Sequence, residues 1–140
     1  MIILIITLIF LISIFILVFN NEKLSTESKL IIDKIKRNFS IINENFKNIP
    51  ISEGTSSYTL GKKSITLCLK NLETQQYYDM NTIMYVSLHE LAHIITPRSD
   101  NNEHGEKFKN NFTLLLNIAK NKGIWNSNKI LPSIYCGVST

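Results

Sequence analysis

Three histidines occur in the 140-residue chain, and two of them stand four residues apart in His89-Glu90-Leu91-Ala92-His93. On an α-helix, positions four apart share a face one turn apart, so both imidazoles can reach a single divalent ion at about 2 Å. The glutamate beside the first histidine is then placed to hold a water on that ion, which is the H-E-x-x-H zinc signature. Ile83, Met84, Val86, Leu91, Ile94 and Ile95 surround the motif with apolar positions. They predict a helix from Asn81 to about Thr96, stopped by Pro97. The plain alternative is a helix whose histidines are ordinary polar residues.

A zinc hydrolase uses three protein ligands and keeps a fourth position open. A metzincin would need glycine and histidine where this chain has Thr96 and Ser99, so that class is excluded. No Asp or Glu follows Glu106, so a distant downstream carboxylate is excluded too. Asp100, Glu103, His104 and Glu106 remain. His104, eleven residues past His93 at the start of the next helix, is the expected third ligand, with Glu106 in reserve and Asp100 and Glu103 in solvent.

Met1 to Phe19 reads MIILIITLIFLISIFILVF, without one charge. Nineteen helical residues reach roughly 29 Å, about the thickness of a bilayer's hydrocarbon layer. No basic residue precedes the run and no A-x-A-like site follows it, which favours a retained anchor over a cleaved signal peptide. Lys23, Lys29, Lys34, Lys36 and Arg37 follow the run. The positive-inside rule then puts the remainder on the cytosolic side of a single-pass protein. Under that orientation Cys68 and Cys136 are expected as free thiols; they could pair in an oxidising compartment.

Behind a cap at Ser25 or Thr26, the residues Leu30, Ile31, Ile35, Phe39, Ile42 and Phe46 predict a helix over about 26–47. Tyr58–Leu60 and Ser64–Leu69 read as strands around Gly61-Lys62, with Ile65, Leu67 and Leu69 on one face, and Tyr77-Tyr78 as a third short strand. A last helix is expected from about Glu103 to Asn121, ended by Gly123. Its stripe of Phe108, Phe112, Leu115, Leu116 and Ala119 would pack on the histidine helix. Tyr85 and Tyr135 are placed to approach the site, with packing their plainer role. Net charge is +4. Lys107, Lys109, Lys120, Lys122 and Lys129 make the C-terminal third basic, a solvated face first and a contact for anionic lipid or nucleic acid second.

The run from His89 to His93 followed by His104-Gly105-Glu106-Lys107-Phe108 resembles the H-E-x-x-H…H-G-x-x-F pattern of SprT-like and WLM-type zinc metallopeptidases. Ser64–Leu69, Tyr78–Val86 and Tyr135–Val138 look like small metallopeptidases of large DNA viruses of eukaryotes. The resemblance covers roughly residues 57–138. It implies an α+β chain in which a minimal zincin follows the anchor: a helix, a small mostly antiparallel sheet, the zinc helix and a helix bringing the third histidine. The expected organisation is an anchor over 1–19, a juxtamembrane helix and loop over 20–56, and the zincin-like domain over 57–140. In the expected mechanism, Zn²⁺ held by His89, His93 and His104 acidifies a water, and Glu90 acts as general base and proton carrier on a protein or peptide substrate. A non-catalytic zinc-stabilised module displayed at a membrane is the rival. No feature of the sequence fixes an oligomeric state or an oxyanion donor.

Overall fold

The computed structural model describes residues 2–97 and 104–139, with side chains for all of these except 2–5, 19–25 and 139. Two compact units divide the chain, residues 1–31 and 32–140. No proline or glycine precedes Pro50, so nothing interrupts helical hydrogen bonding near the N-terminus. Helix α1 accordingly runs unbroken over Ile2–Ile42 instead of starting at Thr26.

In the first unit, residues 6–18 are all exposed. Among the described residues, no helix is long and apolar enough to cross a membrane. The expected transmembrane helix over 1–19 is therefore corrected, and with it the single-pass, cytosol-facing placement that rested on it.

The second unit is α+β. The last turns of α1 bury Ile35 and Phe39 completely, one turn apart. Asn43 then caps a short 3-10 turn, Glu44–Asn48, by accepting the Asn45 N–H at 3.0 Å. Ile49 is extended, as a residue before proline prefers. Strands β1 (Ile51–Glu53), β2 (Tyr58–Leu60) and β3 (Ser64–Leu67) form one sheet in the order β1-β3-β2. β1 runs parallel to β3 and β2 antiparallel, so the sheet is mixed where a mostly antiparallel one was expected. Ile65 and Leu67 are fully buried, as the alternation predicts. Tyr77 forms only an isolated bridge to Lys70, in place of a third predicted strand.

Helix α2 (Met80–Ile95) opens at Asp79, whose carboxylate accepts the N–H groups of Asn81 and Thr82. Its core face is Ile83, Met84, Leu88, Leu91 and Ala92, all fully buried. α2 contacts β2, β3 and helix α3 (Glu106–Asn121), which buries Phe108, Leu115 and Ala119. Gly123, at φ +69°, takes the left-handed conformation that ends α3. Last come β4 (Ile134–Tyr135) and β5 (Val138–Ser139), paired through the two-residue turn Cys136-Gly137.

The expectation of free thiols is also corrected. Cys68, just past β3, and Cys136, in the β4–β5 turn, form a disulfide with their Cα atoms 6.4 Å apart. That expectation depended on the cytosolic orientation, which falls with the anchor. With this bridge and Tyr135 covering it, Cys68 is buried on the face opposite Ile65 and Leu67.

Candidate metal centre

The core face of α2 sets the direction of its other side chains. With Leu88, Leu91 and Ala92 turned inward, His89 and His93 stand half-buried together on the flank towards α3. Pro97 ends α2 directly after the motif. The chain returns at His104, in the turn before α3, and brings the third imidazole to the first two. Ligating atoms of His89, His93 and His104 all lie within 4.8 Å of one another. The Nε2 atoms of His89 and His104 are 3.2 Å apart. Two nitrogens at about 2.0–2.1 Å from one tetrahedral ion would stand about 3.3 Å apart, so the spacing suits a common cation.

Phe108 floors the cluster. It is 4% exposed, and its ring centroid lies 4.9, 4.4 and 4.8 Å from those of His89, His93 and His104. Phe112 packs edge-on against His89 at 5.2 Å. These contacts restrict how far the imidazoles can turn. Burial, then the charge of His93 and of His104, pushes His89 down to about 4. At neutral pH it is a neutral imidazole, the form that binds a metal.

Glu90 lies on the buried side of the same helix at 6% exposure. Burial raises its carboxyl above the usual range, and a hydrogen bond from Thr59 opposes that rise. Thr59 Oγ1 is 2.9 Å from Glu90 Oε2. The arrangement brings two imidazoles of α2 together with that of His104, and the sheltered carboxyl belongs to the residue next to His89.

The other predicted participants sort differently. Glu106 is exposed in the first turn of α3 and is not among the converging ligands. Asp100 and Glu103 lie outside the described residues. Tyr85 packs against Phe112 and Trp125 at 5.3 and 6.0 Å between centroids, an aromatic cluster that joins α2 to α3 and to the segment after it. Tyr135 donates its hydroxyl to the Cys68 carbonyl and lies 3.4 Å from Ser57 Oγ. Burial holds its phenol up at about 12. Tyr85 is thus a packing residue in this structure, whereas Tyr135 is fixed by hydrogen bonds and feels the charge of Glu90.

An uncharacterized protein of Invertebrate iridescent virus 3 is 39% identical over 93 residues, 66% of this chain and 57% of the relative. A second, from Invertebrate iridescent virus 6, is 37% identical over 90 residues, and a third, from Acanthamoeba polyphaga mimivirus, is 40% identical over 96. The chain thus spans about half the length of the curated relatives it matches, between 47% and 57%. These relatives are proteins of large DNA viruses, which bears out the viral part of the resemblance. No family model matches the chain, so the SprT-like and WLM-type part gains no support from them. No solved structure matches it either.

Sequence reasoning missed Thr59. It lies 31 positions before Glu90 in a three-residue strand, and no local pattern marks it. Only the pairing of β2 with β3, and of the sheet with α2, brings it to the carboxyl.

Proposed function

We propose that the chain is a zinc-dependent metallopeptidase, with His89, His93 and His104 holding the ion and Glu90 as its base. The observation that supports this most is the convergence of the three imidazoles, drawn from α2 and from the turn before α3, with the buried carboxyl of Glu90 next to His89. Among the described residues three histidines converge, which leaves a tetrahedral ion one position short, as a hydrolytic site requires and a structural site does not.

The bound ion would supply Lewis acidity, acidifying an attacking water and polarising the scissile carbonyl. The protein's own residues do the rest. Glu90 takes the proton from the water and delivers it to the leaving amine. Its burial keeps competing water away from the carboxyl and raises its affinity for that proton. Phe108 limits rotation of the three imidazoles. β2 is an outer strand of the sheet and carries Thr59 against Glu90. An extended peptide adding to that strand would therefore pass beside the base.

The decisive experiment is metal analysis of the full-length protein, paired with peptide-library digestion with and without chelator. One bound zinc per chain and chelator-sensitive cleavage are expected. Glu90→Gln should keep the zinc and lose the cleavage. A zinc-loaded protein that cleaves nothing would instead be the metal-stabilised module, and undiminished turnover by E90Q would remove the base from its role.

A further inference from the structure

Thr59 Oγ1 lies 2.9 Å from the Oε2 of Glu90 and 2.9 Å from the backbone carbonyl oxygen of the same residue. A threonine hydroxyl has one proton, so a single donor faces two acceptors of one residue. The carbonyl belongs to the rigid backbone of α2. The carboxylate sits at the end of a side chain with several rotatable bonds. A donor held against both ties the mobile acceptor to the fixed one. Glu90 is 6% exposed, and a carboxylate in such surroundings is costly without a donor.

The strand makes Thr59 a stiff support. Thr59 is the middle residue of β2 and pairs with Ile65 of β3, which is fully buried. Threonine is β-branched, so its χ1 is restricted and the strand fixes the direction of its hydroxyl. Tyr58 and Leu60, on the opposite face, are 47% and 65% exposed. Thr59 alone of the three is turned to α2.

We propose that Thr59 is a positioning residue for the base. Its hydroxyl holds Oε2 of Glu90 against α2 and so aims Oε1 at the water whose proton it takes. This rests on the peptidase reading given above, because it assigns Thr59 a part in that reaction. Thr59 touches neither the substrate nor the attacking water in this scheme; it acts through Glu90.

The test uses full-length, zinc-loaded protein and a peptide that the wild type cleaves. Thr59→Val keeps the branched shape and removes the hydroxyl; Thr59→Ser keeps the hydroxyl. In T59V, kcat should fall about 10–100-fold, the loss of one hydrogen bond to a charged group together with a misplaced base. KM should stay within about twofold, because no substrate contact is removed. Zinc content should not change. T59S should restore kcat to within about threefold, which a packing role would not require. Thr59→Ala carries the same expectation as T59V should the valine perturb the strand. A second measurement needs no turnover. In protein labelled with ¹³C at glutamate carboxyls, the resonance missing from E90Q identifies Glu90; it should move in T59V and stay in T59S.

Unchanged kcat in T59V, or equal losses in T59V and T59S, overturns the proposal while leaving the peptidase standing. A wild type without chelator-sensitive cleavage overturns the peptidase, and the role of Thr59 with it.

Discussion

Removing the Cys68–Cys136 bridge is expected to weaken the fold in two distinct ways. The bond closes a loop across a sequence separation of 68 residues. In the chain-entropy account, a loop of that length restrains the unfolded ensemble by about 4 kcal/mol at 25 °C. A domain of this size is stable by only about 5–15 kcal/mol in total, so the bridge supplies a substantial fraction. The second effect is local. Cys136 has φ +48° and Gly137 φ +81°, so the β4–β5 turn needs a left-handed residue at a position without glycine. A two-stranded ribbon is marginal on its own, and this one is held by the disulfide, by the Cys136 N–H donated to Tyr78 Oη at 3.0 Å, and by the Tyr135 hydroxyl on the Cys68 carbonyl. Urea unfolding of Cys68→Ala/Cys136→Ala against the oxidised wild type should show a loss of about 3–5 kcal/mol. Far-UV circular dichroism follows the transition, and wild type treated with a phosphine reductant should match the double variant. Amide exchange should show residues 134–138 losing protection first. A double variant within about 1 kcal/mol of the oxidised protein, with those amides still protected, would refute the reasoning, because neither loop closure nor the turn would then depend on the bond.

Two further outcomes concern the helices that carry the site. Phe108→Leu should fold at a cost of about 1 kcal/mol, yet bind zinc roughly tenfold more weakly, since the aromatic floor that steadies three imidazoles is gone. Competition with a chromogenic chelator measures this, and unchanged affinity would show that the imidazoles orient themselves. Asp79→Ala should cost about 1 kcal/mol at pH 7, the usual value of a lost N-cap. Burial opposes ionisation of Asp79, but its bonds from the Thr82 hydroxyl and the Thr82 and Asn81 amides outweigh this and lower the carboxyl below its usual 3.8. A carboxyl lowered on folding stabilises at pH above its unfolded value, and the contribution is lost as pH falls through the folded one. The gap between wild type and D79A should therefore be full at pH 6 and shrink as pH falls below the ordinary 3.8 and through the lower folded value in urea titrations; a gap constant with pH would remove the charge from the account.

Local spacing carried much of the candidate site. His89 and His93 announce themselves four apart, and His104 followed by elimination among four residues. α2 and α3 were legible from their apolar stripes, and β3 from the alternation of Ile65 and Leu67 with Thr66 and Cys68. Where the structure departs from these expectations, the information is long-range or absent from any single window. β1 is three residues long, ends in two exposed positions and pairs in parallel with a strand beyond β2, so it has neither alternation nor a hairpin turn to mark it. Two cysteines so far apart carry no spacing signal, and the expectation of free thiols rests on an orientation that falls with the anchor. The anchor was over-read for another reason. Hydropathy registers how apolar Met1 to Phe19 is, whereas crossing a membrane needs length and apolarity together, and among the described residues no helix combines the two.

The residues that hold the Glu90 carboxyl in place are those a window cannot see. Ser57, at the foot of β2, accepts the Cys68 N–H at 3.0 Å and contacts the Tyr135 hydroxyl. Thr59, at its centre, bonds Glu90. Lys62, in the turn after it, donates to the Thr96 carbonyl at the end of α2. Three side chains within six residues thus tie this outer strand to the disulfide-bonded hairpin, to the candidate base and to the end of the histidine helix. Each partner lies at least eleven positions away in sequence. A three-residue strand holds its position only if something outside it does the holding, because its own ladder with β3 is short. A displacement of β2 would carry Thr59 away from Glu90. The side chains that keep the strand still therefore also bear on the geometry of the carboxyl.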